Sequence, residues 1–167
     1  MLNVVLHEPE IPNNTGNIGR TCVATGACLH LIEPLGFDID EKACRRAGLD
    51  YWPRLDLHTH LDFESYADST KDARRWLLST KGSRSVYEAD FEPSDHLVFG
   101  KESKGLPDDL LESHCDRVIC LPMMPGERSL NLSSAVCVVV YEAIRQMIVN
   151  QHSELNANKR LIHKKRI

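Results

Sequence analysis

The sequence has no CxxC pair, and its six cysteines lie mostly within apolar stretches. This pattern is typical of reduced, buried thiols in a cytosolic protein. His114, Cys115 and Cys120 come closest to a metal-binding group, but they lack the spacing of a ligand pair. The sequence therefore predicts no metal ion.

The N-terminus lacks a basic flank, and no long apolar run follows it. A signal peptide needs both features, and a membrane-spanning helix needs about 20 consecutive apolar residues. We therefore expect a cytoplasmic protein that does not associate with a membrane. No internal repeat or linker interrupts the 167 residues, and this length fits one domain.

A net positive charge is also absent, since the formal charge is −4. The charges are unevenly distributed, however, because residues 151–167 contain five basic residues and one acidic residue, Glu154. A basic tail on an acidic body favours local attraction to phosphate, although a solvated terminus without a role fits the same composition. We expect one domain over residues 1–150 and a flexible basic tail over residues 151–167.

Short apolar runs alternate with helical patterns along the chain. Strands are predicted at residues 2–7, 28–32, 55–58, 76–79, 97–99 and 118–121, and helices at 14–25, 41–47, 63–71 and 132–150. Gly26 is the predicted left-handed stop of the first of these helices. The alternation predicts an α/β fold with a mostly parallel sheet and helices on both faces.

The last predicted helix is apolar around its whole circumference, because residues 136–140 read VCVVV. Such a helix must be buried on more than one side. The sheet covers one side. A second subunit is the natural cover for another, and burial within the chain is the alternative.

Three loops of unusual composition follow predicted strands, and ligands bind at such strand ends in open α/β sheets. They span residues 9–20, 99–107 and 121–135. Each loop alone also fits a structural explanation, as a glycine turn or a helix cap. The first loop is rich in proline and asparagine. It lacks the glycine-rich turn of a Rossmann methyltransferase, which speaks against that class.

Together the loops resemble the three signature motifs of the SpoU branch of the SpoU–TrmD (SPOUT) superfamily. The matches are Asn-x5-Arg at 14–20, Phe-Gly-x-Glu-x-x-Gly-Leu at 99–106 and Pro-Met-x5-Ser-Leu-Asn-Leu-Ser-x-Ala at 122–135. Residues 9–18 and 45–51 look like the small, single-domain TrmL (YibK-like) subfamily. The resemblance covers about residues 1–150.

The resemblance implies a six-stranded parallel sheet with a deep C-terminal trefoil knot, in a homodimer. It also implies transfer of a methyl group from S-adenosylmethionine to the ribose 2′-hydroxyl of a tRNA wobble nucleotide, cytidine or uridine. The implied cofactor pocket consists of Leu78, Gly100, Glu102, Leu121, Ser129 and Leu130. In such a pocket, backbone groups can read the adenine edge while the leucines supply apolar cover.

The resemblance further implies a catalytic group made of Arg20, Asn14, Ser129 and Asn131. The family assigns activation of the hydroxyl to Arg20, yet arginine is a poor base because its pKa exceeds about 12. We favour an Arg20 that engages the substrate phosphate and hydroxyl and stabilises negative charge, with proton acceptance as the open alternative. Ser129 and Asn131 would position the nucleotide or Arg20. A surface ion pair of Arg20 is the structural alternative.

The sequence indicates the RNA-contacting residues less clearly than the cofactor pocket. Proteins that bind RNA combine basic side chains with aromatic side chains that stack on the bases. The candidates here are Arg45, Arg46, Tyr51, Trp52 and Arg128, although the two aromatic residues fit a core or an interface equally well.

Two other functions fit parts of the pattern. One is an RNA-binding protein that kept this fold without catalysis, and the intact motif residues speak against it. The other is a ribosomal-RNA 2′-O-methyltransferase of the same superfamily. Such relatives usually carry an additional N-terminal RNA-binding domain, which we do not expect here because the first predicted strand starts at residue 2.

Overall fold

The computed structural model describes residues 1–37 and 50–164, and the predicted helix at 41–47 lies outside these ranges. Within them the α-helices are α1 Pro12–Thr25, α2 Phe63–Ser69, α3 Asp108–Ser113 and α4 Leu132–Val149. The strands are β1 Asn3–His7, β2 Cys28–Ile32, β3 Leu57–His60, β4 Arg75–Leu78, β5 Arg84–Ser85, β6 His96–Phe99, β7 Val118–Cys120, β8 Ser153–Leu155 and β9 Leu161–His163.

The central sheet has the strand order β3-β2-β1-β6-β4-β7-β5, and every neighbouring pair is parallel. The predicted parallel α/β architecture is therefore confirmed. The implied count of six strands differs from the seven that the described residues form in this sheet. The additional strand, β5, has two residues, so no apolar run in the sequence marks it.

Helices cover both faces of the sheet. Alternate strand residues point to opposite faces, and β1 illustrates this with Val4 and Val5. Val4 belongs to a buried cluster that includes α1 and α4 residues such as Ile18 and Val136. Val5 belongs to a second cluster that includes Tyr66 of α2. Both faces are thus apolar and buried, as a parallel sheet requires.

Local sequence signals explain where the two long helices begin and end. Pro12 occupies the first turn of α1, where its missing N–H is not needed. Gly26 ends that helix at a φ of 71°, which confirms its prediction as a left-handed stop. Helix α4 begins after Asn131, whose side chain accepts hydrogen bonds from the backbone N–H groups of Ser133 and Ser134.

Helix α4 is only partly covered by its own chain. Its buried side includes Val139, Val140 and Ala143, whereas the side chains of Val138 and Tyr141 are 42% and 53% exposed. By length and composition alone α4 could cross a membrane, but the core helix of a soluble protein meets the same criterion. Its packing against α1 and the sheet places it in the core.

The structure differs from the expectation of a flexible tail, because residues 153–163 form an antiparallel hairpin of β8 and β9. The Ser153 residue is buried, and its hydroxyl lies 2.8 Å from Nδ1 of His163. Nε2 of His163 lies 2.7 Å from the carbonyl oxygen of Thr25, near the end of α1. These interactions come from single residues rather than from an apolar repeat, so the sequence pattern does not reveal them.

Candidate functional site

A cavity of about 630 Å³ lies at the carboxyl ends of β4, β6 and β7. Its walls come from residues 78–81 at the end of β4 and 99–106 at the end of β6, with Ile11 and Asn14 beside them. The segment after β7 contributes Leu121, Met123 and residues 128–131, and α4 adds Leu132 and Ala135. Members of all three predicted loops therefore meet at one site. The position agrees with the rule that parallel sheets bind ligands beyond the carboxyl ends of their strands.

The residues predicted to bind the cofactor all line this cavity: Leu78, Gly100, Glu102, Leu121, Ser129 and Leu130. Asn14 and Asn131 line it as well. The structure brings these residues together, while their binding and catalytic roles stay predictions. A cavity of this size is within the usual range for a cofactor site.

A hydrogen-bond chain connects the three motifs at the cavity wall. Nδ2 of Asn14 donates to Oε1 of Glu102 at 2.8 Å, and Nδ2 of Asn131 donates to Oδ1 of Asn14 at 3.0 Å. Oδ1 of Asn131 accepts from the backbone N–H of Ser133 at 2.9 Å. Because the Glu102 carboxylate oxygens act as acceptors here, the direction of each amide in this chain is fixed.

Glu102 also holds the first loop in place. Its carboxylate accepts hydrogen bonds from the backbone N–H groups of Glu10, at 2.8 Å, and Ile11, at 3.3 Å. In return, the Glu10 carboxylate accepts from the hydroxyl and N–H of Ser103, and these bonds lower the pKa of Glu10. The first and second motifs therefore fix each other by reciprocal bonds.

Gly100 lies at a very close approach of two backbone segments. A Cβ atom at this position would lie 2.0 Å from the carbonyl carbon of Gly105 and 2.2 Å from the nitrogen of Leu106. Only glycine fits there without a shift of the backbone. Gly105 has a φ of 72°, and its N–H donates to the carbonyl of Lys101 at 2.8 Å, which closes the loop on itself.

Arg20 does not line the cavity of its own chain. It projects from α1 with its guanidinium carbon 4.4 Å from the ring centroid of Tyr51 and its NH2 atom 3.8 Å from Oδ1 of Asp50. The Arg20 side chain is 61% exposed, so within one chain it makes the surface ion pair of the structural alternative. Its catalytic role stays a prediction.

The candidate RNA-contacting residues differ in their exposure to solvent. Tyr51 and Trp52 are only 2% and 9% exposed, so they form part of the core rather than a free stacking surface. Arg128 lines the cavity and is exposed. Arg45 and Arg46 lie outside the described residues.

Part of the cavity wall is not marked by any sequence motif. Ser79, Thr80 and Lys81 line it, although no motif marks them. Nζ of Lys81 lies 2.5 Å from Oδ1 of Asp108 at the start of α3. The position of residues 79–81 could have indicated their place in the wall, because they directly follow β4, which lies next to the central strand β6.

Comparisons with known proteins identify the family of this chain. The model of the SpoU rRNA Methylase family matches residues 1–141. A tRNA (cytidine(34)-2′-O)-methyltransferase from Saccharophagus degradans is 51% identical over 148 residues, which are 88% of this chain and 96% of that protein.

Two solved structures are also similar. One, which concerns the 2-OH methylation of C/U34 on tRNA, is 46% identical, covers 89% of this chain and 97% of its own, and has a TM-score of 0.84. The other is the SpoU methyltransferase AviRb from Streptomyces viridochromogenes in complex with the cofactor AdoMet. It is 26% identical, covers 89% of this chain and 58% of its own, and has a TM-score of 0.75.

The family match spans the sheet, the cavity and the beginning of α4, and all three motifs lie within it. The chain belongs to the SpoU methylase family.

Proposed function

We propose that this protein transfers a methyl group from S-adenosylmethionine to the ribose 2′-hydroxyl of the wobble nucleotide of tRNA, cytidine or uridine, in the cytoplasm. The observation that carries the proposal is the convergence of Asn14, Glu102 and Asn131 at one cavity. The names of the similar proteins support this substrate over ribosomal RNA.

The cavity fits the proposed cofactor by its shape and its chemistry. Gly100 lines the cavity with bare backbone, since a side chain there would clash with the backbone of Gly105 and Leu106. Leu78 and Leu121 add apolar surface. These residues, with Leu130, would hold the adenosine part through backbone groups and apolar contact. S-adenosylmethionine supplies an electrophilic methyl group when bound.

The protein's own residues then have to place the nucleophile. Asn131 is fixed by Asn14 and by the first turn of α4, so it offers a rigid wall near Ser129. We propose that Ser129 and Asn131 orient the nucleotide, and that Arg20 engages its phosphate and 2′-hydroxyl and stabilises the developing negative charge. A guanidinium suits this task better than proton acceptance because it stays protonated.

A homodimer is part of the proposal. Arg20 lies outside the cavity of its own chain, and α4 leaves Val138 and Tyr141 exposed. A second copy would cover this apolar side of α4 and would let one tRNA contact both subunits. Replacing Tyr141 with glutamate should weaken dimerisation and activity together. A wild-type protein that sediments as a fully active monomer would contradict the homodimer.

We also propose that the C-terminal part of the chain is knotted. Strand β7 lies between β4 and β5, although β4 and β5 are consecutive in the chain. The short connection between them passes close to β7, because a Cβ atom on Gly82 would lie 2.6 Å from the carbonyl carbon of Ile119. A chain whose β7 segment passes under this connection before it continues into α4 would be knotted. The arrangement therefore supports the trefoil knot that the family resemblance implies.

The experiment compares the wild type with Arg20→Ala and Arg20→Lys. We expect Arg20→Ala to abolish methyl transfer to tRNA while calorimetry gives nearly unchanged affinity for S-adenosylmethionine, because Arg20 does not line the cavity. Arg20→Lys should restore little, since a point charge does not reproduce the planar guanidinium. Lost cofactor binding with normal turnover at saturation would overturn the role of Arg20. A wild type that binds no cofactor would overturn the proposed reaction.

A further inference from the structure

A polar cluster lies at the amino-terminal ends of β2 and β3, the opposite edge of the sheet from the cavity. Cys28 is the first residue of β2, Asp56 directly precedes β3, and His58 belongs to β3. The Cys28 thiol donates to Oδ2 of Asp56 at 2.9 Å, and Nε2 of His58 lies 3.1 Å from Oδ1 of Asp56. One carboxylate thus bridges a thiol and an imidazole.

The spacing of the three groups fits a small tetrahedral ion. Their donor atoms all lie within 4.8 Å of one another. Around zinc, with bonds of about 2.3 Å to sulfur and about 2.0–2.1 Å to nitrogen or oxygen, ligand atoms are roughly 3.3–3.6 Å apart. The Sγ–Oδ2 contact of 2.9 Å is about 0.6 Å shorter than the sulfur–oxygen separation around zinc, and the Nε2–Oδ1 contact of 3.1 Å is about 0.2 Å shorter than the nitrogen–oxygen separation. The side chains of Cys28 and Asp56 would therefore have to move apart as the ion enters.

We propose that Cys28, Asp56 and His58 bind one divalent transition-metal ion of the zinc type, with solvent as the fourth ligand. A thiolate, an imidazole and a carboxylate together suit zinc or cobalt, whereas magnesium and calcium prefer oxygen ligands alone. The side chains of Asp56 and His58 are 56% and 50% exposed. An ion can therefore reach the site, and water can complete its coordination.

Neighbouring histidines orient the ligands but do not join them. The ring of His30 stacks on that of His58 with centroids 4.9 Å apart. Both nitrogens of His30 face other partners, since Nδ1 lies 3.0 Å from Nε2 of His60 and Nε2 lies 3.3 Å from Oδ1 of Asn3. His30 thus packs against the protein side of the His58 ring and limits its rotation.

Binding of the ion must displace the proton of Cys28, because the thiol donates a hydrogen bond to Oδ2 of Asp56 and only a thiolate is a metal ligand. The displaced proton passes to solvent, which reaches the site through the exposed side chains of Asp56 and His58.

The ion would connect the start of β2 to the start of β3, the edge strand of the sheet. The sequence pattern predicts no metal here, because the ligands lie on adjacent strands and their spacing along the chain matches no motif. Since the site is remote from the cavity, its effect should be on stability. Zinc should raise the midpoint of thermal unfolding in a concentration-dependent way.

The experiment titrates Co²⁺ into the full chain, free of any histidine tag and in metal-free buffer, and records the sulfur-to-cobalt charge-transfer band. We expect the band to saturate at one ion per chain and to disappear when Zn²⁺ is added. Mg²⁺ should have no effect. Cys28→Ser, which keeps a hydroxyl donor for Asp56, should abolish the band, and His58→Gln should weaken binding at least about tenfold.

Cys115→Ser is the matched control, because Cys115 is an exposed cysteine beside His114, far along the chain from the proposed site. It should leave the band unchanged. The proposal is overturned if the wild type shows no band, if the band survives Cys28→Ser, or if it is lost in Cys115→Ser. None of these readouts depends on methyl transfer, so failure of the metal site and failure of the proposed activity are distinguishable.

Discussion

Replacement of Gly100 by alanine tests the close packing behind the cavity. The added Cβ atom would lie 2.0 Å from the carbonyl carbon of Gly105, whereas ordinary contact begins near 3.4 Å. The two segments would therefore have to separate by about 1.4 Å. The obstacle is backbone on both sides, so no side-chain rotation can relieve it.

The expected effects follow from this displacement. Overpacking of this kind costs about 1–3 kcal/mol of unfolding free energy, and about 2 kcal/mol corresponds to a decrease of roughly 4–8 °C in the unfolding midpoint for a chain of this length. Gly100 and Gly105 both line the cavity, so the shift also deforms the proposed cofactor site. We expect at least about tenfold weaker binding of S-adenosylmethionine, or about 1.4 kcal/mol.

Thermal unfolding and calorimetric titration measure the two effects. Gly126→Ala is the matched control because Gly126 has a φ of 96°, has nothing within 4 Å of an added Cβ atom, and does not line the cavity. It should lose about 1 kcal/mol through backbone strain and keep its cofactor affinity. A Gly100→Ala protein with wild-type stability and affinity would refute the reasoning.

Three further predictions address acid stability, the hairpin and the capping residue. Burial lowers the pKa of His30 to about 3 and that of His96 to about 4, while unfolded histidine titrates near 6.5. The unfolded chain thus binds more protons below pH 6.5, so stability is full above that pH and falls toward pH 4. In urea unfolding, the free energy of unfolding should fall by about 1 kcal/mol per histidine between pH 6.5 and 5, a value that takes partial solvent screening into account. An unfolding free energy that does not change over this pH range would contradict the prediction. Replacing Lys159 and Arg160 with glutamine should make the affinity for tRNA less dependent on salt concentration. The logarithmic slope should fall by about one unit for each phosphate interaction that the substitution removes, while the maximal rate stays unchanged. An unchanged slope would mean that the hairpin has no role in binding. Asn131→Ala removes both the cap of α4 and the hydrogen-bond donor to Asn14. It should therefore lower the free energy of unfolding by about 1 kcal/mol and weaken methyl transfer. A variant with wild-type stability and activity would contradict both roles.

The sequence indicates the site better than the details of the fold. Gly26 and Asn131 act through local geometry, so a stop and a cap can be predicted from their neighbours. The motif residues meet at the cavity because they follow parallel strands, whose carboxyl ends share one edge. Strand β5 has no such signal, because a two-residue strand is defined only by its pairing with β7.

Interactions that depend on single residues from distant segments could not be predicted. The hairpin at residues 153–163 is anchored by hydrogen bonds of Ser153 and His163, and its apolar contact with the main core comes from Leu161. Truncation after residue 150 would therefore remove packing as well as charge, and substitution of its basic residues is the cleaner test of RNA binding. The cluster of Cys28, Asp56 and His58 depends on strand register, which the sequence pattern does not specify.

The central claim is tested most directly by methyl transfer from labelled S-adenosylmethionine into total RNA, followed by nucleoside mapping. We expect label as a 2′-O-methylated cytidine or uridine at the first anticodon position of a small set of tRNAs, and none in ribosomal RNA. Label in ribosomal RNA, at another tRNA position or on a base would contradict the account.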